Sequence, residues 1–150
     1  VSDTTATSTA DQAKAVFLAN PDISVVFAPY DEFARGVKLA AADLGISSKL
    51  KIYSADISTA DIQEIVEEGS PWIATAATNP AVVGAVSIRA LALQIAGEAV
   101  PSKVVVDPVL VTQQQLREAE VSTIEELAKK IPAFSSSTAA TAPWIPSAAF

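Results

Sequence analysis

The sequence predicts an α/β fold built as a doubly wound parallel sheet layer, and three observations carry the prediction. Short apolar runs at Ser24 to Ala28, Lys51 to Ala55 and Trp72 to Ala77 alternate with longer segments of helical periodicity. Each run is followed within a few residues by helix-start chemistry: Asp31, then Ser58-Thr59-Ala60-Asp61, then Asn79-Pro80. Gly45, Gly69 and Gly97 each stand where a helical pattern stops and a left-handed residue is needed. Strands separated by helices are joined by right-handed crossovers, which predicts a parallel sheet with helices on both faces.

Taken in order, Thr9 to Ala19 predicts a helix with Val16 and Phe17 inward, ended by Asn20-Pro21. Ser24 to Ala28 follows as a strand. Asp31 then caps a helix to Leu44 whose Phe33, Val37, Ala40, Ala41 and Leu44 share one face. After the strand Lys51 to Ala55, Ile62, Ile65 and Val66 mark the inner face of a helix reaching toward Gly69. Trp72 to Ala77 is a third strand, and the longest helix runs from Asn79-Pro80 to about Ala96. Lys103 to Thr112 is extended but broken by Pro108, which makes it an edge strand or a crossing segment. Ser122-Thr123-Ile124-Glu125 opens a short helix to Lys130, before Pro132. Ala133 to Phe150 carries no charge and is rich in Ser, Thr, Ala and Pro, so it reads as extended or disordered, with Trp144, Ile145 and Phe150 able to dock.

Composition excludes several classes of function. A net charge of −7 repels the phosphate backbone, so nucleic acid is not an expected partner. With neither cysteine nor histidine, the chain can build no disulfide, thiolate metal site, usual zinc site or Ser-His-Asp triad. Gly69 to Ile88 runs 20 residues without a charge, the length of a membrane span, but Pro71, Asn79 and Pro80 break it into a strand end and a helix start. The chain begins at Val1 and contains no methionine, and is expected to be a mature or excised piece of a longer protein.

The carboxyl ends of the strands are where open α/β sheets hold ligands. Tyr30 and Asp31 fall there after the first strand, and a tyrosine in that place can stack on a ring or offer one hydrogen bond. Asp56 falls there after the second, able to accept from two ligand hydroxyls or, equally, to shape the turn before Ser58. Asn79 reads as a helix cap, and Trp72 as core or rim packing before a stacking platform. The acidic pairs Asp31-Glu32 and Glu67-Glu68 point about 100° apart on their helices, so they are solvated faces and not chelates. No glycine-rich nucleotide motif is present. No cofactor and no metal is expected.

The segment Phe27-Ala28-Pro29-Tyr30-Asp31-Glu32-Phe33-Ala34-Arg35-Gly36 resembles the Phe-Ala-x-Asn-Asp-Glu-x-Ala-x-Gly turn of type I periplasmic sugar-binding proteins, the extracytoplasmic receptors of ABC importers. Ser54-Ala55-Asp56 is similar to that family's Gly-x-Asp, whose aspartate holds the sugar. Thr78 matches a ligand residue that precedes proline there, beside Asn79. The threonines Thr4, Thr5 and Thr7 are similar in composition to a loop after an earlier strand. Together with Ala74 to Pro80 and Val106 to Val111, the likeness covers Thr9 to Gln115. Tyr30 replaces the family's asparagine and Ser54 its glycine.

The resemblance implies a non-enzymatic solute-binding protein that closes two lobes around a small polar, sugar-like ligand, with Asp56, Tyr30, Thr78, Asn79 and Asp31 on this lobe. It implies a C-terminal portion: residues 1–78 as second-lobe α/β units, 79–103 as a helix belonging with a missing first lobe, 104–130 as closing strand and short helix, and 131–150 as tail. Crossings between lobes would fall near 77–79 and 103–109. The implied partners are that first lobe and an ABC permease, and the implied location is extracytoplasmic, in the periplasm or lipid-anchored at the outer face of the membrane. The helix from Pro80 is apolar nearly all round, so self-association or a helix swap is also expected. Two other readings stand beside this one: the effector domain of a lac-repressor-type regulator, and a small α/β enzyme with magnesium on Asp31 and Asp56.

Overall fold

The structure is a computed structural model that describes residues 4–146. Parallel pairing organises it: β1 (Val25–Ala28), β2 (Lys51–Ala55) and β3 (Trp72–Ala77) lie side by side in chain order, and β4 (Val109–Thr112) completes the sheet. Val26 faces Ile52 and Ala28 faces Ser54 in parallel register, and Tyr53 pairs with Ala74 beyond a shift between Ile52 and Tyr53. Against the expectation of parallel strands throughout, β4 runs antiparallel, with Leu110 opposite Ala76. It is the edge strand that Pro108 foreshadowed, shortened to the residues after the proline.

The crossovers β1–α2–β2 and β2–α3–β3 use α2 (Asp31–Asp43) and α3 (Thr59–Val66). Their inner residues Ala34, Ala40, Ala41, Ile62 and Ile65 are fully buried with Ile52 and Trp72 in one core. The Trp72 indole N–H donates to Ser54 Oγ at 2.9 Å, which satisfies both buried polar groups, so Trp72 is core and not a stacking platform. On the other sheet face Val25, Phe27, Tyr53 and Leu110 remain exposed. Cover on both faces is therefore incomplete.

The first helix, α1 (Thr5–Ala19), starts four residues earlier than expected. Thr5 and Thr7 are thus helical, and Thr4 precedes the first turn instead of belonging to a loop. Its buried positions are Ala10 and Phe17, with Ala13 partly buried between them, while Val16 is 49% exposed. The expected inward Val16 is corrected by how closely α1 approaches α2. A Cβ at Gly36 would stand 2.5 Å from Ala6 O and 2.6 Å from Thr9 Cβ, so the contact face of α1 must be made of small residues.

Beyond β4, α5 (Gln113–Glu118), α6 (Ile124–Lys130) and α7 (Pro132–Ser135) add Leu116, Leu127 and Phe134 to the core. The Gln113 amide donates to the carbonyls of Ile65, Ser70 and Trp72, and Arg117 donates to those of Val66 and Glu67. The bonds to Ile65, Val66, Glu67 and Ser70 satisfy carbonyls left open where α3 ends near Gly69 (φ +75°), and the bond to Trp72 ties α5 to β3.

The helix α4 (Pro80–Ile95) lies outside that core: Val82, Val86 and Leu93 are buried, but none joins the main cluster. Residues 136–146, the described part of the chain beyond α7, lie along it. Arg89 donates to Ser137 O at 3.0 Å, and Trp144 Nε1 donates to Glu98 Oε1 at 2.6 Å. A cavity of about 330 Å³ lies between them, lined by Val82, Arg89, Ser136 and Ile145 among others. Phe150 lies outside the described residues. Among the described residues no helix is long and apolar enough to cross a membrane.

Gly36→Ala tests the α1–α2 approach. Alanine raises helix propensity by about 1 kcal/mol, but its methyl meets a backbone oxygen that moves only if α1 moves, and overpacking of this kind costs about 1–3 kcal/mol. The clash should win, lowering the urea midpoint; a midpoint equal to or above that of the parent chain would show that α1 does not sit this close.

Candidate functional site

Each parallel strand ends at the same edge of the sheet and hands over to a helix N-terminus. After β1 the chain turns at Pro29, and Tyr30, in extended conformation, is the residue before α2. Asp31 is not the cap but the first helical residue: its Oδ1 accepts from the Glu32 N–H at 2.7 Å. The Tyr30 ring meets the Phe33 ring edge to face, 5.5 Å between centroids. That contact fixes the direction in which the hydroxyl leaves the core.

After β2, Asp56 adopts a left-handed conformation (φ +69°) and is exposed. It is held by β3 at two points and by the residue after β3 at a third: its N–H donates to Ala76 O at 3.0 Å, its carbonyl accepts from Thr75 Oγ1 at 2.6 Å, and its Oδ1 accepts from Thr78 Oγ1 at 3.2 Å. The carboxylate keeps its remaining acceptor capacity toward the open edge. Ser58 then caps α3 in a reciprocal box with Asp61.

After β3, Thr78 is half-buried beside Asp56, and Asn79 is 5% exposed. The Asn79 Oδ1 accepts from Ala81 N–H at 3.0 Å, so this side chain caps α4. Tyr30, Asp31, Asp56 and Thr78 thus gather on one open shelf at the strand ends, with Asn79 beneath it.

The field on this shelf is negative. Desolvation raises the Tyr30 hydroxyl above its ordinary pKa of 10, and the charges of Asp31, Glu32, Asp56 and Asp61 push it further in the same direction. Such a shelf presents acceptors, which suits a ligand bearing hydroxyl donors and opposes an anionic one.

Asp61 is the residue that sequence reasoning passed over. It was legible as the partner of Ser58 in a cap, but not as a carboxyl 1% exposed and facing Asp31 across the α2–α3 contact. Of the two acidic pairs, Glu67-Glu68 is exposed as expected, whereas Asp31-Glu32 is half-buried. Asp31 is half-buried against Asp61, Glu32 accepts from Arg35 at 2.9 Å, and Glu67 accepts from Lys38. Among the described residues no three acidic, histidine or cysteine side chains gather as a metal site.

No family model matches the chain. It is similar to the D-allose-binding periplasmic protein of Escherichia coli, 31% identical over 109 residues, which is 69% of this chain and 34% of the relative. Its fold is similar to the 5-methylthioribose transporter solute-binding protein of Thermotoga lettingae, crystallised with 5-methylthioribose: TM-score 0.87 at 35% identity, covering 93% of this chain and 44% of that one. A sugar ABC transporter protein of Yersinia enterocolitica superposes with a TM-score of 0.81 at 31% identity, over 91% of this chain and 42% of its own. The chain thus spans less than half the length of each of these relatives. By sequence and by fold it belongs with the type I solute-binding proteins of sugar ABC transporters, as an incomplete part of their α/β architecture.

Proposed function

We propose that this chain supplies one lobe of a two-lobe extracytoplasmic receptor that captures a neutral, sugar-like ligand and presents it to the permease of an ABC importer, without performing chemistry. The observation that carries the reading is the shelf itself: Asp56, tied to Thr78 and pinned by β3, stands in a row with Tyr30 and Asp31 at the ends of three adjacent parallel strands. Asp56 would accept from neighbouring ligand hydroxyls, Thr78 would hold that carboxylate in place, and Tyr30 would stack on or hydrogen-bond the ring. Asp31 adds a further acceptor, and Asn79 keeps the start of α4 in position.

Residues 1–78 belong to this lobe in the proposal, α4 within 79–103 packs with the complementary lobe, 104–130 returns to the sheet, and 131–150 forms the tail. Two features support the division. The buried residues of α4 stand apart from the main core, and Val83, Ile88, Leu91 and Ile95 on the same helix are exposed, Ile95 by 79%. An apolar surface of that kind is characteristic of a face that another body covers.

In the complete receptor, Asp56→Ala should weaken sugar binding by about 10- to 100-fold, the loss expected when hydrogen bonds to a charged acceptor go. A thermal-shift screen of pentoses, hexoses, deoxysugars and polyols finds the ligand, and isothermal titration measures the variant. Stabilisation by one sugar class that Asp56→Ala abolishes supports the proposal, whereas no stabilisation by any neutral polyol overturns it.

Without the complementary lobe, the exposed stripe on α4 should drive association of the chain at high concentration, and Ile88→Glu combined with Ile95→Glu should restore the monomer. Sedimentation velocity reads this directly; a strictly monomeric parent chain would contradict the assignment of α4.

A further inference from the structure

Among the described residues, Asp61 is the one buried acid, and its Oδ1 has no hydrogen-bond donor. Its Oδ2 is well served, accepting from the Ser58 N–H at 2.7 Å and from Ser58 Oγ at 2.5 Å. One oxygen is therefore satisfied as a carboxylate and the other is not, and a buried carboxyl in that condition takes up a proton. What faces it is a second acid: the Asp31 carboxyl lies within hydrogen-bonding reach. Two facing carboxylates repel, and one proton between them both ends the repulsion and supplies the missing partner.

We propose that Asp61 is a positioning residue of the strand-end shelf: in mildly acidic solution it holds a proton on Oδ1 and donates it to Asp31, fixing the Asp31 carboxylate at the start of α2 beside Tyr30. The significance of the shelf rests on the function proposed above, but the pair exists or fails without any ligand. No other nearby charge takes over the role. On α2, Arg35 feels the charge of Asp61 but is engaged directly by Glu32 at 2.9 Å and Glu64 at 3.8 Å, and Lys38 is engaged by Glu64 and Glu67. Tyr30 shares the field of Asp61, and α6 meets α3 through an uncharged contact, Ile124 N–H to Thr59 Oγ1.

Burial, opposed by the Ser58 bonds and reinforced by Asp31, lifts Asp61 from an ordinary 3.8 to about 6. The folded chain then holds a proton that the unfolded chain releases near 3.8. The stabilisation is complete below about pH 4 and declines as pH rises to about 6 and slightly beyond. Glu67 and Glu126, both held below the usual 4.5 by Lys38 and by Ser122, act in the opposite sense, and their effect is over by about pH 5. The window from pH 5 to 7 therefore isolates Asp61.

Carboxyl-carbon NMR of the ligand-free chain tests the pair. Asp61 should titrate near 6, and the Asp31 resonance should move with the same midpoint. Asp31→Asn, whose amide donates to Asp61 Oδ1, should lower the Asp61 midpoint. Asp61→Asn mimics the protonated acid, since its amide donates to Asp31 while its oxygen accepts from Ser58. It should fold, and it should abolish the fall in melting temperature between pH 5 and 7. An Asp61 midpoint at or below about 4.5, an Asp31 resonance indifferent to it, or a pH 5–7 slope that persists in Asp61→Asn would each overturn the proposal. Failure of the complete receptor to bind any sugar would remove the reading of the shelf as a ligand site and leave this titration unchanged.

Discussion

Parallel pairing of β1, β2 and β3 is the constraint on which everything else depends. Neighbouring parallel strands cannot be joined by a tight turn, so each must return through a helix across the sheet. Every strand then points the same way, and every helix that follows begins at the same edge. Residues far apart in the chain meet there for topological reasons before any side chain chooses a partner. Tyr30, Asp56 and Thr78 are each the first polar side chain to emerge as an apolar strand ends, and α2, α3 and α4 each begin beside one of them. The antiparallel β4 is outside this logic, and its continuation behaves differently: α5 does not add to the shelf but clamps the opposite end of α3 through Gln113 and Arg117.

How much of this could be read in advance depended on whether the signal was local. The strands at Lys51–Ala55 and Trp72–Ala77 match their expected bounds because each is an apolar run closed by Gly, Pro, Asp or Asn. The start of α1 was missed because Thr5 to Ala10 has no apolar periodicity, and Val16 was misplaced because size was used as a guide to burial. The decisive residue was on the other helix: Gly36 lets the two backbones approach until only small side chains fit. The direction of β4 and the docking of the tail on α4 are tertiary outcomes with no local signature. The candidate site divides in the same way. Asp56 and Tyr30 could be placed from their positions after strands, whereas the link from Asp56 to Thr78 and the meeting of Asp31 with Asp61 exist only once helices and strands are assembled.

The surfaces left uncovered follow from the same architecture. A parallel sheet layer ordinarily has both faces shielded, yet Val25, Phe27, Tyr53 and Leu110 are exposed on one face here, and α4 carries a second exposed apolar stripe. Both are in keeping with a chain that spans 44% of a homologue whose fold it otherwise follows at a TM-score of 0.87. The tail shields part of α4 with few apolar groups and several polar bonds, among them Arg89 to Ser137 O and Trp144 to Glu98.

The backbone at Asp56 sets durability against recognition at a single position. A left-handed φ of +69° costs a residue with a Cβ about 1–2 kcal/mol, and glycine would adopt it freely. The strand end therefore favours the one residue that has no side chain, at the place where the proposed ligand shelf would rely on a carboxylate. Selection for a sturdier fold alone would drift toward glycine there and erase the acceptor. With aspartate in place, the bond from Thr78 Oγ1 to its Oδ1 offsets part of that cost, so the strained backbone and the exposed acceptor come as one feature.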